Sequence, residues 1–166
     1  MPPTNPVRKG CEPFVRPADP GDERLLAYRL RQEDQDECWA LGVQPDKALI
    51  DSVAMSTSCF SIIRDDRDVI GMFGCSPSAL QDDNLSIGNV WLLGSPGIQD
   101  IRYTFLRQSR HWADVLHEDY QVLWNWADAR NQVHIKWLKW LGFRVIQSAP
   151  VGVNGEEFHQ FLRIKE

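Results

Sequence analysis

The sequence predicts one α/β (α+β) domain, a central mixed β-sheet flanked by helices on both faces. Short β-rich runs alternate with helical periodicities along most of the chain. Val90-Trp91-Leu92-Leu93 is apolar at every position, as a central strand covered on both faces must be. Residues 122–147 read as strand, helix, strand. The 166 residues suffice for one core and are short for two. Residues 14–166 are therefore expected to form a single domain. Residues 1–13, rich in proline, are expected to form an arm that is flexible or held by a partner.

Phe14-Val15-Arg16 is the first strand. Asp19 and Pro20 offer an N-cap and a first helical residue, Asp22 and Glu23 place acids in the first turn, and Leu25, Leu26 and Leu30 supply an apolar face. A second helical stretch through Cys38, Trp39 and Leu41 stops at Gly42. Glu33, Asp34, Asp36 and Glu37 crowd its start; with no other convergent ligand for a metal, they read as a solvated acidic face. Pro45 opens a third helix with Leu49, Ile50 and Val53 at helical spacing. Residues 59–64 and 69–75 form a hairpin around the polar turn 65–68. Cys59 and Cys75 read as reduced, buried thiols; a bridge across the hairpin is the alternative in an oxidising setting.

After the central strand, Gly94-Ser95-Pro96-Gly97 leads into a long helix with Ile101, Phe105, Trp112 and Leu116 on one face and arginines on the other. Residues 122–126 form a strand, and a helix from Asn131 to Leu141 carries His134, Trp137, Leu138 and Leu141 on one stripe. Gly142 ends it, residues 143–147 form the next strand, and Asn154-Gly155 turns the chain into a final strand over 158–164.

Composition removes several function classes. With 18 basic and 23 acidic residues the net charge is −5, giving no general attraction to phosphate backbones, so direct nucleic-acid binding is not expected. No apolar run reaches the roughly 20 residues of a membrane helix. There is no Gly-x-Ser-x-Gly elbow, no His-Glu-x-x-His pair and no Walker loop. The four cysteines form no Cys-x-x-Cys set, and no metal site is expected.

The order of elements, the opening Val15-Arg16-Pro17-Ala18-Asp19, and the Asn131 helix ending in Gly142-Phe143 resemble the GCN5-related N-acetyltransferase fold. More narrowly, Leu123-Trp124-Asn125-Trp126 followed by Asn131, His134-Ile135-Lys136-Trp137-Leu138 and Leu141-Gly142-Phe143 resembles the internal virion protein A group of podophages. Trp91-Leu92-Leu93-Gly94-Ser95 is a further echo. That group looks like degenerate acetyltransferases carried in virions.

The resemblance implies a cofactor site in which backbone amides at the start of the long helix hold a pyrophosphate. It maps onto Leu93, Gly94, Gly97 and Arg102, with Asn131 opening the neighbouring helix. Here Pro96 has no donor and Asp100 adds negative charge. The tyrosine that protonates the leaving thiolate in many members is replaced by Leu138, leaving His134 as the titratable catalytic candidate, with a hydrogen-bonded core histidine as the alternative.

The expected function is a non-catalytic virion protein, made in the host cytoplasm and assembled with portal, tail or internal core proteins. No cofactor is expected. One alternative is an active acetyltransferase using acetyl-CoA on a host or phage protein; another is a free host-factor-binding protein. Seven tryptophans exceed what one core obviously holds, and Trp137 and Trp140 are candidate interface anchors.

Overall fold

The computed structural model describes residues 13–65, 67–80 and 82–166. The expected arm, apart from Pro13, lies outside the described residues. The chain runs β1 (Phe14–Pro17), α1 (Asp22–Ala27), α2 (Gln32–Ala40), α3 (Pro45–Met55), β2 (Ser58–Arg64), β3 (Asp68–Pro77) and β4 (Ile87–Gly94). A 3₁₀ turn (Pro96–Ile101) then leads to α4 (Arg102–Leu116), β5 (Val122–Asp128), α5 (Gln132–Trp140), β6 (Arg144–Ala149) and β7 (Phe158–Ile164).

The strands form one seven-stranded sheet in the order β1-β2-β3-β4-β5-β7-β6, with β4 and β5 parallel and the other neighbours antiparallel. β4 is the fourth strand, as its unbroken apolar run requires. The expected strand-helix-strand unit is split, because β7 lies between β5 and β6. Helices cover both faces. On one, Phe105 and Leu116 of α4 and Ile135 and Leu138 of α5 pack on Val90, Leu123 and Phe161. On the other, Leu26 of α1 and Leu49 of α3 pack on Ile63, Val69 and Met72.

Several local expectations are corrected. α1 begins at Asp22, not beside Pro20, because Gly21 takes a left-handed conformation (φ 98°) that ends the preceding turn. Asp22 stands in the first turn, as expected. It is buried, and it accepts hydrogen bonds from Arg16, Ser61 and the Asp19 amide. Leu25 and Ile50 are exposed, so the inward stripes of α1 and α3 are narrower than expected. His117 is buried, its Nδ1 bonded to the Tyr120 carbonyl at 2.9 Å.

The Cys59–Cys75 bridge is excluded by register. Cys59 pairs with Gly74 and Cys75 with Ser58, so the two thiols project from opposite faces of the sheet, and each packs with a different core. Both are free, and burial pushes their thiols up, to about 11 for Cys59 and about 12 for Cys75.

Candidate functional site

The site follows from one break in the sheet. β4 and β5 pair only at Ile87↔Val122, Gly88↔Leu123 and Asn89↔Trp124, and then run on to Gly94 and Asp128 without pairing to each other. At the crotch, the Asn125 side-chain amide donates to the Val90 carbonyl at 2.8 Å, so one freed acceptor is satisfied by a side chain. Beyond it lies a cavity of about 210 Å³ lined by residues from both faces of the sheet. Leu93, Phe105, Trp112 and Leu138 make it largely apolar; Glu37, Asn125 and His134 add polar groups.

Glu37 was not among the candidates read from the sequence. Its Oε1 accepts the Asp128 amide at 3.0 Å, and burial, helped by the nearby charges of Asp34 and Asp128, pushes its carboxyl up to about 7. The acidic run of α2 is therefore not one solvated face. Asp34, Glu37, Cys38 and Leu41 follow i, i+3, i+4, i+7; the first three turn inward and Leu41, though 41% exposed, lines the cavity, while Glu33 and Asp36 are exposed. That stripe was the available signal, hidden because two of its four members are acids.

Asp34 is only 2% exposed and ties α2 to the loop leaving β4. It accepts from Arg31 Nε at 2.8 Å and from the Gly94 amide at 2.8 Å, and the Gly94 carbonyl accepts the Arg31 amide. Burial pushes the Asp34 carboxyl up, against the pull of the Arg31 charge.

The loop from Gly94 to Gly97 is where the resemblance placed cofactor contacts, and its donors are already engaged. The Gly94 amide bonds Asp34, the Ser95 amide bonds the Ile70 carbonyl, the Gly97 amide bonds Ser95 Oγ, the Ile98 amide bonds the Ser95 carbonyl, and Pro96 has none. Ile70 is the extra residue of a bulge, since Ile62 pairs with Gly71 and Ile63 with Val69, and its carbonyl also accepts Ser95 Oγ. Buried Ile98 packs against Gly94, where a Cβ would collide with its Cδ1, while a Cβ at Gly97 would meet Ile70 and Arg64. Asp100 pairs with Arg64, which also holds Asp68, and Asp68 is shared with Arg29. The long helix starts later than expected, at Arg102, because Pro96–Ile101 winds as 3₁₀.

Leu93 packs toward the α1–α3 face beside Met72. Arg102 is exposed, its guanidinium 4.9 Å from the Tyr103 ring centre. Asn131 is buried and caps α5, its Oδ1 accepting the His134 amide at 3.3 Å. His134 meets Trp137 at 5.6 Å between ring centres, and burial pushes its imidazole down to about 3, too weak a base for proton abstraction near neutral pH. Trp137 is half-buried and stacks on Phe105 at 5.3 Å. Trp140 is 52% exposed and lies under the Arg110 guanidinium at 4.4 Å; Trp39, read from the sequence only as part of a helical stretch, is exposed as well.

A second depression, of about 380 Å³, runs between the start of α4 and α5 and shares Phe105, His134 and Trp137 with the cleft. Among the described residues no cluster of three or more potential metal ligands occurs. No helix among them is long and apolar enough to cross a membrane.

Residues 84–148 match the model of a family described as "Bacteriophage T7, probable scaffold protein Gp13". No curated protein matches the chain. Among solved structures, the aminoglycoside N(6')acetyltransferase of Legionella pneumophila superposes with a TM-score of 0.67 at 8% identity, covering 92% of each chain. A GCN5-related N-acetyltransferase from Kribbella flavida gives 0.61 at 16% identity, over 92% of this chain and 98% of its own. A GNAT-family acetyltransferase from Streptococcus pneumoniae gives 0.61 at 13%, over 93% and 100%. At such identities the likeness carries the fold alone: the chain has the GCN5-related N-acetyltransferase fold, and its stretch 84–148 is similar to a phage scaffold family.

Proposed function

We propose that this chain is a phage virion-associated structural protein, of the internal virion protein A type, that uses the acetyltransferase-like fold for assembly without catalysis. The carrying observation is the loop after β4. A pyrophosphate cradle needs backbone N–H groups aimed outward. Here the amides of Gly94, Ser95, Gly97 and Ile98 are turned to internal acceptors, and the Ile98 side chain packs against Gly94. Breaking those bonds to admit a diphosphate would cost about 1 kcal/mol for each exchanged bond and more for the one to buried Asp34. The phage family match over 84–148 supplies the assembly context. Portal, tail or internal core proteins are the partners in this reading.

The test has two arms. Acetyl-CoA should leave the melting temperature of the purified chain unchanged, and quantitative proteomics of purified particles should find the chain at fixed copy number. Stabilisation by the thioester, or absence from particles, would overturn the proposal; absence together with a captured host protein would favour the host-factor alternative.

A second reading, acetyl transfer, is favoured by the open β4–β5 cleft with Glu37 inside it. A carboxyl near 7 is well placed in pH to accept a proton from an amine. Incubation with labelled acetyl-CoA and particle or host lysate decides it: transfer lost in Glu37→Gln would establish this reading.

A further inference from the structure

The depression between α4 and α5 combines an apolar floor with unpaired positive charge. Leu92, Ile98, Phe105, Leu106 and Trp137 line its interior, and Val133 and Trp140, both more than half exposed, stand at its edge. Arg102 and Lys136 line it, and Arg110 lies over the Trp140 ring. Arg107 and Lys139 are exposed on the same two helices. No ion pair among the described residues engages a cation of α4 or α5; Arg31, which also lines the depression, is paired with Asp34, and Arg16, Arg29, Arg64, Arg130 and Arg163 away from it are paired as well. The lining contains no carboxylate, although the chain as a whole carries −5.

We propose that this depression is a docking groove for an acidic peptide segment of a partner protein, one that places an apolar side chain on Phe105, Leu106 and Trp137 and its carboxylates on Arg102, Lys136 and Arg110. Charge complementarity selects this occupant. An uncompensated cationic rim steers an anionic partner and sets register, and exposed aromatics beside arginine are typical anchors. The apolar floor calls for a side chain that a polynucleotide backbone lacks. A nucleotide diphosphate is disfavoured because the amides of Gly94, Ser95, Gly97 and Ile98 beside the groove are engaged within the chain. At about 380 Å³ the groove has room for an anchor side chain and its flanking backbone. The partner in the assembly reading thereby acquires a chemistry, and this proposal draws on that reading only for where the partner resides.

The experiment measures fluorescence anisotropy of a labelled peptide of alternating glutamate and leucine with the full chain, at low and high salt. Saturable binding is expected, weakened about tenfold by Arg102→Glu or Lys136→Glu and lowered by salt. Val133→Glu is expected to weaken it as well. All three sites are exposed, and an unchanged melting temperature confirms that each variant is folded. Absence of binding, equal binding of a lysine-leucine peptide, indifference to both charge reversals, or displacement of the peptide by coenzyme A or polyadenylate at lower concentrations would each overturn the proposal. A chain found in particles but lacking peptide affinity removes the groove and leaves the assembly reading standing. Charge-dependent affinity in a chain absent from particles supports the groove and removes that reading.

Discussion

The loop that leaves β4 and the cleft that opens beside β4 are sequence neighbours built in opposite ways. In the loop, the amides of Gly94, Ser95, Gly97 and Ile98 end on acceptors of the chain itself, and a buried isoleucine closes the space. In the cleft, the Trp137 Nε1 donor has no partner among the described residues, and Glu37 is held far from its ordinary ionisation. Unsatisfied and perturbed groups cost stability and persist where something other than stability is maintained. The contrast sets a loop whose amides are spent within the chain, and so act as a joint, against a cleft that retains an unpartnered donor and a perturbed carboxyl.

Breaking the joint should cost most at its anchor. Asp34→Ala leaves the Arg31 guanidinium and the Gly94 amide unpaired, and should lower unfolding free energy by about 3–5 kcal/mol, read from the urea midpoint at constant slope. A loss under about 1 kcal/mol would mean the joint is held elsewhere. Ile98→Ala empties the space over Gly94 and should cost about 2–4 kcal/mol by the same measurement, still without gain of coenzyme A binding.

The cleft sharpens the comparison in the other direction. The Glu37 carboxyl titrates near 7 in the folded chain and near about 4.3 when unfolded, so its favourable contribution is complete below the lower value and is lost as pH rises through about 7. Glu37→Gln stays neutral throughout. Relative to the parent it should gain about 3–4 kcal/mol between about pH 4 and about pH 8, measured by urea unfolding at both. A pH-independent difference would show that Glu37 is solvated. The smallest effect is expected for Ser95→Ala, which removes the acceptor for the Gly97 amide and should cost about 1 kcal/mol in the same assay.

Much of the fold was legible because it rests on local periodicity. The bounds of β7 follow from Asn154-Gly155 and the run after it, and α5 follows from Asn131 at one end and Gly142 at the other. In the site, Pro96 announced a missing donor, and Trp140, one of the two tryptophans named as interface candidates, is exposed. What stayed hidden depends on contacts between distant segments. Asp34 meets Gly94 across sixty residues, and composition alone made α2 look solvated. Parity excludes the Cys59–Cys75 bridge, but only once register is known, and a hairpin turn of uncertain length leaves that open.

The placement of β7 between β5 and β6 has a consequence for biosynthesis. On the ribosome β5 emerges bonded to β4 over only three residue pairs, and its other edge stays bare until residues 158–164 are made. The nascent polypeptide therefore passes through an interval with an unprotected strand edge, a state open to wrong pairings in a crowded, rapidly translating cell. Shortening that interval, by circular permutation that brings β7 out ahead of β6, should raise soluble yield while leaving the finished sheet unchanged.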